Sequence, residues 1–429
     1  MDVSMFGLGY VGSVSAACFA DAGHKVVGVD MAEEKVAMIN AGTPPVFEPG
    51  LAEIMKKVND NGNLRATLSC AEAIEATDVA LICVGTPSLP SGGLGLHAVT
   101  AVGKQIGEAI KNRKRPLTIV LRSTVLPGTV HSTLLPAIHE GCGGEPTCPL
   151  DVAVNPEFLR ESTAVADFRV PPMTLAGFDD PATEPVLREL YSSVDAPFVA
   201  TDLRVAELVK YASNAYHALK IGFANEIGDI CQAVGAPPQE VMRIFRMDHR
   251  LNISEAYLKP GFAFGGSCLP KDLRALTYAA RSKDLKPLIL ESILPANEQQ
   301  IQRGIGQVIA AGKRKIGVVG LAFKPDTDDL REGPMVTVIE TLLGKGYELR
   351  VLDTGVSMSR LMGANKKYIE EHVPHLAELL CKDELELAAH AEVVVLGNKG
   401  ADSDKVLATV RDDQKVIDLT RMYPEVADR

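Results

Sequence analysis

The chain has 429 residues, and 44 Lys and Arg against 55 Asp and Glu leave a formal net charge of -11. At roughly 150 residues per domain, that length suggests about three domains. Hydrophobic residues at 46% and charged residues at 23% exclude a disordered, collagen-like or disulfide-miniprotein class. The acidic balance argues against nucleic acid or an anionic membrane surface as a partner. A phosphate-bearing small molecule remains compatible wherever backbone N–H groups and a few cations gather locally.

The first Lys or Arg is Lys25, and Gly7, Gly9 and Gly12 interrupt the apolar N-terminal run, which predicts no secretory leader. The uncharged stretch 79–103 carries Pro87, Pro90 and five glycines, a density no spanning helix would hold. A cytoplasmic protein without membrane contact is expected. Eight cysteines are scattered without a C-x-x-C pair, which predicts reduced thiols and neither a metal site nor a disulfide framework.

The first thirty residues alternate a short apolar run, a glycine cluster, an Ala-rich helical stretch and a second apolar run ending in Asp30, the pattern of a βαβ unit. Similar runs recur at Val79 to Val84, Leu117 to Leu121 and Val152 to Val154, so a parallel, doubly wound sheet follows. Met173 to Gly177 and Pro197 to Ala200 complete a first domain, 1–200. From Leu203 to about Val234 the period turns helical, with Thr201 or Asp202 as N-cap. A helix that long suits a connector or a dimer seam. Helical sequence continues to Gly312, broken by Gly261 to Gly266, and defines a middle region, 201–312. Strands at Lys315 to Gly320, Glu348 to Leu352, Glu392 to Leu396 and Val416 to Leu419, with a helix at Val336 to Gly344, predict a second Rossmann-like domain over 313–429. The expected fold class is therefore α/β, two Rossmann-like domains joined by a long central helix and a helical dimerisation region.

Four segments carry chemistry. Gly7-Leu8-Gly9-Tyr10-Val11-Gly12 follows a strand and opens a helix, so its backbone can approach a pyrophosphate at the positive helix end. Asp30, 23 residues beyond Gly7, would accept hydrogen bonds from a free ribose 2′-OH and repel a 2′-phosphate, which selects NAD over NADP. The strand ends Gly85-Thr86-Pro87 and Arg122-Ser123-Thr124 border the same crevice. On the long helix Lys210, Asn214, His217 and Asn225 share one stripe, which reads either as the wall of a polar cavity or as a solvated face. Cys268 follows a glycine loop and precedes a helix containing Pro270, Lys271 and Asp272; the helix dipole and Lys271 would favour its thiolate, and Asp272 could serve as a base. After the first strand of the last domain, Lys324 and Arg331 are candidates for phosphates of another nucleotide or for surface salt bridges.

These segments together resemble the nucleoside-diphosphate-sugar 6-dehydrogenase family over essentially the whole chain. The resemblance rests on FGLGYVG (6–12), EPGL (48–51), CVGTP (83–87), RSTVLPGT (122–129), NPEFLRE (155–161), the Lys210 and Asn214 helix, GGSCLPKD (265–272) and FKPDTDDLRE (323–332). RESTA (160–164), YHALKIGFANEIG (216–228), DHRLN (248–252), PGFAFGG (260–266) and GANKKYIEEHVPH (363–375) look most like the GDP-mannose branch.

The resemblance implies a four-electron oxidation of a sugar C6 alcohol with two NAD⁺, through a thiohemiacetal and a thioester on Cys268. It implies oxyanion support from Lys210, Asn214 or a water on Thr124, and a hydrolytic base at Asp272 or Glu157. It assigns NAD to Gly7, Gly9, Tyr10, Val11, Gly12, Asp30, Lys35, Thr86, Thr124, Lys271 and Arg331. It assigns the nucleotide sugar to Glu161, Lys210, Asn214, His217, Asn225, Tyr257, Lys259, Phe262, Gly265 and Lys324, and implies a homodimer around the long helix, with domain exchange or a higher oligomer as variants. One departure is Ala256-Tyr257-Leu258-Lys259, where the GDP-mannose branch carries an aromatic pair and an arginine. UDP-glucose and UDP-N-acetylhexosamines therefore stand as alternative substrates. A two-electron hydroxy-acid dehydrogenase, from which Cys268 distinguishes the four-electron reading, and a non-catalytic NAD sensor, against which the Lys210, Asn214 and Cys268 set argues, are the remaining readings.

Overall fold

Leu117–Leu121 is buried at every position, the signature of a parallel strand covered by helices on both faces. Comparable runs build the rest of the sheet around it. The computed structural model describes residues 1–91, 93–266, 268–322, 330–356, 376–423 and 426, which fall into two units, Met1–His217 and Ala218–Arg429.

In the first unit the strands are β1 (Asp2–Phe6), β2 (Lys25–Val29), β3 (Leu64–Thr67), β4 (Val79–Ile82), β5 (Leu117–Leu121), β6 (Leu150–Val154), β7 (Thr174–Phe178) and β8 (Phe198–Thr201). Their order is β3-β2-β1-β4-β5-β6-β7-β8. Because β2 and β4 flank β1 on opposite sides, the loops leaving β1 and β4 diverge and open a crevice at their carboxyl ends. Two features depart from the sequence reading. Leu64–Thr67 is a strand that the sequence reading passed over; with one face buried and Arg65 exposed, four residues carry too short a pattern. The sheet is also not parallel throughout, since β7 runs antiparallel to β6, pairing Phe178 with Ala153. The connection between them holds only the short helix Ala164–Arg169, and an antiparallel neighbour needs no full crossover.

Helices cover both faces. Phe19, Met5 and Leu51 belong to one apolar layer, and Phe6, Ile82, Ile106 and Ile138 to the other. Helices His97–Ile110 and Leu135–Cys142 approach so closely that a Cβ on Gly107 would lie 2.2 Å from the Ile138 carbonyl oxygen. The long helix Leu203–Ala233 begins where Asp202 Oδ1 accepts the Val205 N–H at 2.9 Å, so Asp202 rather than Thr201 is the cap. Its 31 residues span about 46 Å at roughly 1.5 Å per residue.

In the second unit, helices Pro238–Phe245, Leu269–Arg281 and Leu288–Ala310 precede a four-stranded parallel sheet. Its strands β9 (Lys315–Val319), β10 (Glu348–Leu352), β11 (Val393–Leu396) and β12 (Lys415–Asp418) run in the order β10-β9-β11-β12. Ile316, Val318, Ile339 and Val395 lie in its core. Among the described residues no helix is long and apolar enough to cross a membrane.

The Gly107 crossing yields a direct test. Gly107→Ala should lower stability by about 1–3 kcal/mol, the usual cost of overpacking, seen as a lower urea midpoint. An unchanged midpoint would show that the two helices separate freely.

Candidate active site

The turn after β1 is shaped by three glycines with different demands. Gly7 holds φ +93, and a Cβ on Gly12 would lie 1.8 Å from the Gly7 carbonyl oxygen, so the fold itself requires both. Gly9 is different: its φ is -76, and a Cβ there would meet nothing within 4 Å. Neither packing nor backbone geometry explains that glycine, whereas a diphosphate approaching the N-terminus of helix Tyr10–Asp21 does. Val11, in the first turn, is half-buried.

Asp30 ends the second strand of this βαβ unit. Its Oδ2 accepts Leu8 N–H at 2.8 Å and its Oδ1 accepts Ala32 N–H at 2.9 Å. Burial raises its pKa, but those two N–H groups and Lys35 outweigh it and hold the carboxyl below its ordinary value. Lys35 reaches Asp30 at 3.3 Å, so the structure places it beside the acid that would receive a ribose. These residues fit an NAD molecule.

The neighbouring strand ends are tied to one another. The Thr86 hydroxyl donates to the Thr124 carbonyl at 2.8 Å, and Ser123 donates to the Val84 carbonyl at 2.7 Å. Beneath them Arg122, Asn155 and Tyr191 form a buried network. Arg122 Nη1 donates to the Tyr191 oxygen at 2.8 Å and to Asn155 Oδ1, which also accepts the Tyr191 hydroxyl. Asn155 Nδ2 donates to the Leu175 carbonyl at 2.8 Å. The network pins β5, β6 and β7 where Thr124 and Glu157 leave the sheet.

Lys210 is the buried member of the helical stripe. Its ammonium lies 3.1 Å from Glu157 Oε1, with side chains only 10% and 12% exposed, and 5.4 Å from the Phe158 ring centre. Glu157 Oε2 also accepts Leu159 N–H at 2.7 Å. Three residues earlier on the helix, the buried Glu207 takes the backbone N–H groups of Gly128 and Val130, the latter at 3.0 Å. The polar-cavity reading of the stripe needs correction, because Asn214, His217 and Asn225 are exposed. The physical reason is that Leu208, Leu219 and Ile221 are at least half exposed as well, so among the described residues these faces of the helix are left uncovered. Glu161 is exposed too and is not part of the Lys210 pair.

In the second unit Cys268 is the N-cap residue of helix Leu269–Arg281, with Pro270 in its first turn. It alone of the eight cysteines is exposed; burial pushes the thiols of Cys18, Cys70 and Cys83 up to about 12. Lys271 and Asp272 pair with each other at 3.3 Å on the surface. The glycine loop before the cysteine is fixed by Asn297, whose side chain accepts Phe264 N–H at 2.9 Å and donates to its carbonyl at 2.8 Å.

Two residues of that loop meet the chain itself. Phe262 packs on the core of the second sheet, and a Cβ on Gly265 would lie 2.4 Å from the Glu332 carbonyl oxygen. Packing is thus the first demand on both. Tyr257 is 84% exposed with φ +63, Lys259 is exposed and Arg331 half-buried, the Arg331 carbonyl accepting Gly266 N–H at 3.2 Å. Lys324 lies outside the described residues. Glu207 and the Arg122 network escaped the sequence reading, although a lone acid among the apolar residues of the helix's first turns was a usable signal for Glu207. Among the described residues no group of three or more His, Cys, Asp or Glu could hold a metal ion.

A dinucleotide-binding sheet whose strand ends meet a long helix carrying a buried lysine is the frame of a nicotinamide-dependent dehydrogenase. The chain belongs to the UDP-glucose/GDP-mannose dehydrogenase family, matching its NAD binding domain over residues 1–195, its central domain over 204–299 and its UDP binding domain over 317–424. It is 46% identical to the GDP-mannose 6-dehydrogenase of Pseudomonas putida over 419 residues, 98% of this chain and 96% of that one. It is 34% identical to the UDP-glucose 6-dehydrogenase of Rhizobium meliloti over 441 aligned positions, 99% and 96% of the two chains. Among solved structures, a ternary complex of GDP-mannose dehydrogenase from Pseudomonas aeruginosa superposes with a TM-score of 0.94 at 45% identity, covering 98% of this chain and 96% of that one. A UDP-glucose dehydrogenase from Pyrobaculum islandicum gives 0.57 at 35% identity, covering 97% and 94%.

The Gly9 geometry makes a prediction. Gly9→Ala should fold with wild-type stability yet weaken NADH at least about tenfold in a fluorescence titration, a loss of roughly 1.4 kcal/mol. Unchanged affinity would mean that no phosphate approaches this backbone.

Proposed function

We propose that this chain oxidises GDP-mannose at C6 to GDP-mannuronate, using two NAD⁺ and one water per sugar and releasing two NADH and three protons. What carries the reading is the buried Lys210 and Glu157 pair at the strand ends, in a chain that shares 46% of its residues with a GDP-mannose 6-dehydrogenase over nearly its whole length. NAD⁺, when bound, supplies the hydride acceptor. Its holders would be Gly7, Gly9, Tyr10, Val11, Gly12, Asp30, Lys35, Thr86, Thr124, Lys271 and Arg331.

The residues of the chain perform the remaining steps. Lys210, Asn214 or a water on Thr124 stabilises the alkoxide as the hydroxyl proton leaves the C6 oxygen and the first hydride leaves carbon. The Cys268 thiolate adds to the aldehyde, and the oxygen takes a proton to give a thiohemiacetal. Loss of the second hydride, with that proton, makes the thioester. Water, deprotonated by Glu157 or Asp272, then cleaves the C–S bond and returns the thiolate. The two candidates differ in setting: Glu157 is nearly buried against Lys210, whereas Asp272 is 70% exposed. Covalent capture keeps the aldehyde from diffusing away. Glu161, Asn214, His217, Asn225, Tyr257, Lys259, Phe262, Gly265 and Lys324 are assigned to the nucleotide sugar, and residues 1–200, 201–312 and 313–429 to cofactor, dimer and nucleotide-sugar domains.

The working form is a homodimer in the cytoplasm. Leu219 and Ile221 on the long helix, Ile244 on helix Pro238–Phe245 and Met247 just after it are between 50% and 64% exposed, and a second copy would bury them. Sedimentation of the active protein should give a species of at least twice the 45.8 kDa chain mass; an active monomer would remove the dimer.

With NAD⁺ in excess, GDP-mannose should release two NADH per sugar consumed, and Cys268→Ser should abolish acid formation. One NADH per sugar would sink the covalent second step. Turnover of UDP-glucose or UDP-N-acetylmannosamine in place of GDP-mannose would sink the substrate assignment and make the altered 256–259 segment decisive.

A further inference from the structure

Glu48 has no part in the mechanism above, yet it is a carboxylate only 5% exposed, and such a group costs several kcal/mol to bury unless it is well bonded. Its Oε2 accepts the Tyr10 hydroxyl and the Ser162 N–H at 2.9 Å, while Oε1 has no partner among the described residues. The two donors lie 38 and 114 positions away in the chain. Tyr10 opens the dinucleotide helix directly after Gly9. Ser162 follows Glu161 and holds φ +74, the left-handed region that costs a non-glycine residue about 1–2 kcal/mol.

Such a conformation persists only where its surroundings over-determine it. One end of the turn is held by Asp167, which takes the Arg160 N–H at 3.0 Å and the Thr163 hydroxyl at 3.0 Å. Its apex is held by Glu48. Burial and the bond to Glu48 push the Tyr10 hydroxyl up to about 12, so it remains a donor throughout the physiological range.

We propose that Glu48 is a positioning residue: one carboxylate oxygen ties the 160–163 turn, and with it Glu161, to the first residue of the dinucleotide helix. The sugar-facing turn therefore takes its place from the cofactor-binding turn. This rests on the reading of Glu161 as a nucleotide-sugar contact.

Steady-state kinetics of the full-length enzyme with GDP-mannose and NAD⁺ test it. Glu48→Ala should raise KM for GDP-mannose at least about tenfold with a much smaller change in kcat. Glu48→Gln keeps a carbonyl oxygen that can accept both donors, so it should restore KM to within about threefold of wild type. A folded Glu48→Ala with unchanged KM, or equal losses in Ala and Gln, overturns the bridge. Tyr10→Phe keeps the ring packed and removes one donor; it should shift KM in the same direction even if Glu48→Ala fails to fold, and an unchanged KM there overturns the proposal as well. Glu161→Gln separates the two failures. A KM that rises in Glu161→Gln but not in Glu48→Ala rejects the bridge alone, whereas a flat KM in Glu161→Gln rejects the sugar contact on which the bridge depends.

Discussion

Two buried charges in the opening turns of the long helix hold the active half of the first unit together. Glu207 satisfies the N–H groups of Gly128 and Val130, and Lys210, three residues on, closes on Glu157. Neither charge could sit there alone: removing one partner of a buried pair typically costs about 3–5 kcal/mol. The helix is therefore locked in rotation and height against two loops, one following β5 and one following β6. Those loops carry Thr124 and Glu157. The Arg122, Asn155 and Tyr191 network completes the clamp from beneath the sheet, so the polar ends of neighbouring strands are tied to one another as well as to the helix.

The two sheets share a smaller device. In the first, Asp30 at the end of β2 accepts the Leu8 N–H of the turn after β1. In the second, Asp353 at the end of β10 accepts Leu321 and Ala322 N–H at 2.7 and 3.0 Å from the turn after β9. An acid at the end of the neighbouring strand thus shapes the turn after the first strand of each sheet, whether or not that turn carries the G-x-G-x-x-G pattern. The first turn adds Gly9, the position that the protein's own packing leaves open.

The strands, the long helix and the cofactor turn were legible because each is written in local pattern: β-branched runs, a change of period at Leu203, glycines at fixed offsets. The cysteine stood out through its place before Pro270. What sequence could not supply was the partner of each polar group. Lys210 and Asn214 look equivalent on a helical stripe, yet one is buried against Glu157 and the other faces out, since burial depends on which elements pack alongside. Phe262 and Gly265 resemble ligand contacts in a glycine loop but answer first to the second sheet and to Glu332. Glu48 was visible only as part of a motif, because its donors lie far off in the chain. The direction of β7 was hidden for the same reason: a strand's pattern does not say which way its neighbour runs.

The long helix has a further consequence for what changes the sequence tolerates. It holds the clamp at Glu207 and Lys210 and, farther along, the exposed positions Leu219 and Ile221. In an α-helix, each added residue turns everything beyond it by about 100° and lifts it about 1.5 Å. A single insertion or deletion between Lys210 and Leu219 would therefore leave both ends chemically intact while pointing them in unrelated directions. Substitutions can drift along this segment, but a change in its length would re-aim every side chain beyond it, so here the count of residues is constrained more tightly than their identity.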